Sequence, residues 1–257
     1  MSDQKTNTLA DLVICACARA WEEDGEVLAS GIGIIQRLAA SLAMIENPSL
    51  MMTDSEAYIV SEPVPLGARH GYEPKRETWM GFSRIFDNVW SGKRHALVGP
   101  SQIDQYGQAN ISALGNYEQP KVQMLGVRGF PGNSISHANS FFVPVHSKRA
   151  FVEGEVDTVC SIGYNSTRLP RGVTLADIDI RLIVTDLCVM DFEPDSKRMR
   201  LCSTHPGVEV DEVLDNTGFE LLLADDLHVT PVPSEEQLAC IAKLDPHNLR
   251  QNAIKPR

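Results

Sequence analysis

The chain has 257 residues, 43% of them apolar, and a formal net charge of −11. That length suits one α/β domain with a sizeable core, and the acidic balance argues against nucleic acid, whose phosphates need a basic surface. No apolar run reaches the ~20 residues of a membrane-spanning helix, and the polar start MSDQKTNTLADLV lacks the layout of a secretory signal, so the cytoplasm is the expected location.

Helical periodicity runs from Leu9 to Glu23, with Thr8 as cap and Gly25 as stop. Glu26–Ser30 reads as a short strand, Gly31-Ile32-Gly33 as a strand-to-helix turn, and Ile34–Ile45 as a helix that ends before Asn47-Pro48. Leu50–Thr53 is a second strand. Glu77–Trp90 is predicted helical, with Trp79, Phe82, Phe86 and Trp90 on one face, and His95–Val98 begins a third strand. This alternation predicts a mostly parallel open sheet with flanking helices.

A polar run, Gln102–Asn110, precedes a short apolar strand, Val122–Val127. That strand enters a turn-forming loop, Gly126-Val127-Arg128-Gly129-Phe130-Pro131-Gly132-Asn133. Phe141–Val145, Ala150–Val152 and Thr158–Ser161 are short extended runs. Ile178–Thr185, Cys188–Phe192 and Arg198–Ser203 form an antiparallel C-terminal set, the last two joined by the turn Glu193-Pro194-Asp195-Ser196. Val208–Leu214 and Glu235–Lys243 are short helices. No linker or internal repeat interrupts the chain, so residues 1–257 are expected to form one domain.

Two segments carry candidate chemistry. Asp54 and Glu56 follow the strand Leu50–Thr53, and ligands of open α/β sheets gather beyond the carboxyl ends of strands. A carboxylate there can serve as nucleophile or base; equally, both are compatible with a solvated loop. Arg128 lies among glycines that allow close backbone approach, and a guanidinium fork matches a carboxylate or thioester oxygen. An ordinary surface turn has the same composition. Gly31-Ile32-Gly33 opens like a dinucleotide fingerprint, but Gln36 stands where the third glycine belongs, which argues against nicotinamide. His137 is the one histidine near either segment. Cys15, Cys17, Cys160, Cys188, Cys202 and Cys240 make no C-x-x-C pair and read as buried small hydrophobes; no spacing supports a metal site.

The chain resembles the β subunits of class I coenzyme A transferases of the glutaconate and 3-oxoadipate type. The likeness covers nearly all of it. It runs through Gly31-Ile32-Gly33, then Gln102-Ile103-Asp104-x-Tyr106-Gly107-x-x-Asn110, the loop at 126–133, and Asp215-Asn216-Thr217-Gly218-Phe219. Within that family it is most similar to the β subunits of steroid ring-opening hydrolases of cholesterol catabolism. The matching segments are Thr53-Asp54-x-Glu56-Ala57, Asn110-Ile111-Ser112-Ala113, Gly126-Val127-Arg128-Gly129-x-Pro131-Gly132-Asn133, Phe151-Val152-Glu153, Ser161-Ile162-Gly163-Tyr164 and His205-Pro206-Gly207-Val208.

The resemblance implies an open α/β fold and an α-subunit partner, in a heterodimer or α2β2 heterotetramer, with the active site at their interface. It implies coenzyme A as part of the substrate and no other cofactor. It assigns acyl-CoA contacts to Gly31, Gly33, Gln102, Asn110, Gly129, Gly132 and Asn133, and chemistry to Asp54, Glu56 and Arg128. Two departures stand out. Transferases of the family carry a nucleophilic glutamate in an E-x-G motif, where this chain reads Asp54-Ser55-Glu56. Aspartate is one methylene shorter, and misplacing a nucleophile by about 1 Å can cost on the order of a hundredfold in rate. Their small-residue oxyanion loop is replaced by Val127-Arg128-Gly129-Phe130. Both favour a ring-opening hydrolase, whose essential glutamate base would lie on the α subunit. The alternatives are a CoA transferase using Asp54 or Glu56, and a noncatalytic partner subunit.

Overall fold

Thr8 starts the first helix by a reciprocal cap. Its hydroxyl accepts from Asp11 N at 3.3 Å while the Asp11 carboxylate accepts from Thr8 N at 3.0 Å. This helix, α1 (Leu9–Ala18), is buried at nine of its ten positions and tightens into a 3-10 turn, Arg19–Trp21. The computed structural model describes residues 8–54, 58–68 and 70–254. α2 (Ile34–Glu46) follows the Gly31-Ile32-Gly33 turn as expected. The remaining helices are α3 (Phe82–Trp90), α4 (Phe130–Ser136), α5 (Val210–Asp215) and α6 (Glu235–Leu244).

The main sheet has seven strands in the order Leu28–Gly31, Arg94–Val98, Ala138–Val143, Ile180–Thr185, Cys188–Phe192, Met199–Thr204 and Leu222–Val229. The first four are parallel, the next two antiparallel, and the last runs parallel to its neighbour. The predicted architecture is therefore present, including the turn at 193–196. All six residues of Ala138–Val143 are buried, the mark of a central strand covered on both faces. One face packs on α1, α2 and residues of α6 around Trp21, Leu38 and Leu42. The other is covered by the irregular segments between residues 99 and 180, with Phe141, Phe151 and Met190 at its centre.

Several predicted elements are corrected. Residues Arg76–Trp79 form a strand, and only Phe82–Trp90 is helical, because Gly81 separates the two. That strand pairs in a separate three-stranded antiparallel sheet with Tyr58–Val60 and Met52–Asp54. The predicted strand Leu50–Thr53 thus leaves the main sheet after Met51, whose bridge to Leu28 is its contact with the edge strand. Val122–Val127 shortens to Val122–Gln123, and the glycine-rich loop turns into α4 at Phe130, with Gly129 at its N-cap and Pro131 in the first turn. The edge strand Leu222–Val229 lies outside the predicted elements, since its polar centre Asp225-Asp226 interrupts the apolar pattern.

Candidate functional site

At the sheet edge, Leu28, Ser30 and Arg94 share the face turned away from α2. With α3 laid over them they enclose a cavity of about 310 Å3. Its apolar wall is Leu28, Met80, Ile85 and Val89. Its polar groups come from Ser30, Arg37, Thr53, Asn88 and Arg94, with Ile32 at the rim. Arg94 is held in place: Nη2 donates to Ser30 Oγ at 2.8 Å. With its amide oxygen turned to the guanidinium, Asn133 accepts from Nη1 at 3.3 Å and donates to Gly129 O at 3.1 Å. Arg37 donates to the Thr53 carbonyl. The Asn88 side-chain oxygen is buried without a hydrogen-bond partner, and Asn88 lines the same cavity as Arg37 and Arg94.

The two segments singled out in the sequence therefore meet around Arg94. Thr53 and the strand end at Asp54 lie on one side, and Asn133 of the glycine-rich segment on the other. Glu56 lies outside the described residues. Arg128 is exposed, has a left-handed backbone with φ 51°, and makes no ion pair among the described residues. A non-glycine residue in that region costs on the order of 1 kcal/mol or more, and such strain gathers at functional sites. Gly132 lies against the Trp90 ring, which would stand 3.4 Å from a Cβ placed there.

Of the other proposed contact residues, Gly31 also lines this cavity, whereas Gly33, Gln102 and Asn110 do not. A Cβ on Gly31 would come within 2.7 Å of Gln36, and one on Gly33 would meet the Gln36 amide, so these glycines admit the start of α2. Gln36 is itself buried against them. Gln102 and Asn110 are buried and bonded to each other at 2.8 Å. Gln102 also bonds Asp157, and Asn110 takes the Ala113 carbonyl and the Ser112 N–H. Asp104 anchors the same turn by accepting from Tyr106 N and Gln108 N, each at 3.0 Å. Burial pushes its carboxyl up to about 7, against those two hydrogen bonds. The Gln-Ile-Asp-x-Tyr-Gly run is thus a scaffold on the sheet's second face.

Sequence reasoning missed Arg94, Arg37 and Asn88. Arg94 opens an apolar strand and Asn88 sits in an amphipathic helix, so nothing local marks either. It also missed a buried line in which His95 Nδ1 meets Asp24 at 2.6 Å and Nε2 meets Ser140 Oγ at 2.9 Å. Burial pushes Asp24 up, but its bonds to His95 and Arg181 together hold it below the usual carboxylate range; burial holds His95 low and neutral. His95 and Ser140 are fully buried and do not line the cavity, so this line braces the sheet. His137 is also braced, with Nδ1 on the Ala138 carbonyl and Nε2 buried without a partner, and burial pushes it down to about 4. Among the described residues no cluster of His, Cys, Asp and Glu could hold a metal.

Sheet order, cavity and motifs together define a coenzyme A transferase fold, and the chain belongs to the coenzyme A transferase family, whose profile matches residues 17–216. Over 251 residues it is 38% identical to the cholesterol ring-cleaving hydrolase IpdB subunit of Mycobacterium tuberculosis, covering 97% of this chain and 99% of that one. It superposes on the crystal structure of Rhodococcus jostii IpdAB with a TM-score of 0.89 and 37% identity, covering 98% of this chain and 100% of the other. It is 28% identical to a 3-oxoadipate CoA-transferase subunit of Pseudomonas knackmussii, over 95% of both chains. Among the described residues no helix is long and apolar enough to cross a membrane.

Proposed function

We propose that this chain is the β subunit of a hydrolase that opens a ring of a steroid-derived acyl-CoA thioester, working with an α subunit of the same family. The observation that carries the reading is the end-to-end 38% identity to a ring-cleaving hydrolase subunit, against 28% to a transferase subunit. Asp54 in place of the transferases' glutamate supports it. In the reaction, water loses a proton to a base as its oxygen bonds to a ring ketone carbon. The resulting alkoxide collapses to a carboxylic acid, which ionises. The broken C–C bond leaves its electrons as an enolate next to the thioester, and that carbon takes up a proton. No oxidant or dissociable cofactor is needed, and coenzyme A enters as part of the substrate.

Asp54 would position water or a partner side chain. Arg128 would stabilise the enolate or hold a substrate carboxylate, and Arg94 would fix the base of the cavity. The six unpaired cysteines support a reducing, cytoplasmic setting for a step of lipid catabolism. The test is to incubate the assembled complex with a steroid-derived ring-ketone CoA ester and to follow products by mass spectrometry. Ring-opened acid with one added water is expected. Transfer of CoA to a free carboxylate, with a hydroxylamine- or borohydride-trapped adduct on Asp54 or Glu56, would show a transferase instead.

A further inference from the structure

Arg128 fills the first central position of a turn that the Phe130 N–H closes on the Val127 carbonyl at 3.1 Å, and Gly129 follows it at φ −87° and ψ 4°. A φ of 51° lies in the left-handed region, where glycine is the usual occupant. Here glycines stand nearby at 126 and 129, yet an arginine takes the position. The entering side of the turn is open, since a Cβ on Gly126 would meet no atom within 4 Å. The leaving side is fastened. The Gly129 carbonyl accepts twice from Asn133, from the backbone N–H at 3.0 Å and from the side-chain amide at 3.1 Å. Phe130 is buried and meets Phe141 edge to face at 6.2 Å. The Asn133 carbonyl in turn accepts from the Asn139 side chain at 3.3 Å.

The side-chain donation depends on which way the Asn133 amide faces. Its oxygen and nitrogen ends have nearly the same shape, so packing alone does not choose between them. Turned the wrong way, the amide oxygen would face the Gly129 carbonyl and the NH2 group would face Arg94, acceptor against acceptor and donor against donor. A guanidinium has donors and no acceptor. Arg94 Nη1 therefore selects the orientation in which the oxygen faces it at 3.3 Å and the NH2 group faces Gly129. Nη2 donates to Ser30 Oγ at 2.8 Å, and Ser30 and Arg94 lie on the paired edge strands, so the selecting charge is fixed to the sheet. We infer that Arg94 is a positioning residue: through Asn133 and the Gly129 carbonyl it keeps the turn in the form that presents Arg128. The inference rests on the proposed role of Arg128 and adds what holds that side chain in place. A direct contact of Arg94 with substrate would not need Asn133, and that difference can be measured.

The experiment compares Arg94→Gln, Asn133→Asp and Arg128→Gly in the assembled complex, singly and with Arg128→Gly added to each of the first two. Asn133→Asp is the sharper variant. An aspartate strengthens the contact with Arg94 but presents an oxygen, in place of a donor, to the Gly129 carbonyl. Arg94→Gln and Asn133→Asp are each expected to lower kcat for ring opening by about tenfold or more, with KM changed by less than about threefold. In the Arg128→Gly background neither should change kcat by more than about twofold, since glycine accepts φ 51° and no guanidinium is left to place. Effects that multiply with that of Arg128→Gly overturn the inference, because Arg94 then acts on the reaction directly. An unchanged kcat in Asn133→Asp also overturns it, because Arg94 then only braces the fold. Hydrogen exchange of the free full-length chain, read on peptides spanning 126–136, needs neither substrate nor partner. Exchange there is expected to quicken by about tenfold or more in both variants, while α1 exchanges as in the parent. Unchanged exchange in folded Asn133→Asp overturns the inference whatever the kinetics. If Arg94→Gln does not fold, Asn133→Asp carries both measurements. Faster exchange in a chain whose parent complex opens no ring refutes the proposed reaction and leaves the hold of Arg94 on the turn standing.

Discussion

Replacing Asp104 with asparagine should change the pH dependence of stability in a calculable way. Asp104 is 1% exposed, and burial raises its carboxyl from an ordinary 3.8 to about 7. Between those values the unfolded chain has lost the proton while the folded chain keeps it. Folding therefore weakens as pH rises through that window and levels off above about 7. Each pH unit is worth about 1.4 kcal/mol, so going from pH 5 to pH 8 costs about 3 kcal/mol through this one group. Asparagine retains an acceptor oxygen for Tyr106 N and Gln108 N but does not titrate. The assay is urea unfolding at both pH values, followed by tryptophan fluorescence, to which the buried Trp21 contributes. The variant should gain about 3 kcal/mol relative to the parent between pH 5 and pH 8. A difference that is the same at both pH values would refute the reasoning, because other titrating groups cancel in the comparison.

His137 gives the opposite slope. Its folded value is pushed down to about 4, so the stability it confers is full above about pH 6.5 and is lost as pH falls toward 4; a His137→Gln variant should lose less on the same acid titration by urea unfolding. Arg128→Gly should leave stability unchanged or raise it by up to about 1 kcal/mol, since glycine accepts φ 51°, while kcat/KM of the complex falls by about a hundredfold or more. Equal activity would remove Arg128 from the site. Gly163→Ala should be among the most damaging single-methyl additions, because its Cβ would stand 2.5 Å from the backbone at Gly107 and Gln108; a drop in Tm under about 2 °C would contradict the packing described.

The parts of the fold that could be read from sequence are those where local signals agree. Thr8 with Asp11, and Ser234 with Gln237, are capping boxes at the starts of α1 and α6, and both helices begin where they should. The antiparallel set at 180–204 declared itself through its turn at Glu193–Ser196. Misreadings arose where tertiary context decides. Of the aromatics near residue 80, Phe82, Phe86 and Trp90 lie on the helix and are exposed, while Trp79 belongs to a strand paired to Tyr58–Val60. A helical period tells which side chains align and not which side is covered. The Gln-Ile-Asp-x-Tyr-Gly run was distinctive enough to point to the family, but its distinctiveness reflects buried amides and an anchored turn. Arg94 was invisible because its role depends on Ser30 and Asn133, 64 residues before it and 39 after it.

The contrast between Arg94 and Arg128 bears on why half a site should be silent. Arg94 is fixed by two hydrogen bonds inside a cavity, whereas Arg128 stands in water. A cation 4 Å from a developing enolate is worth about 1 kcal/mol in bulk water and about 4 kcal/mol near a protein surface that excludes most of it. The difference of about 3 kcal/mol is a rate factor of about a hundred. The described residues of this chain do not supply it, because those around Arg128 leave it exposed. An α subunit covering the segment around Arg128 would supply it by displacing that water. On this account the strain at Arg128 is tolerated because the residue acts only after assembly, and assembly and catalysis should fail together when that water returns.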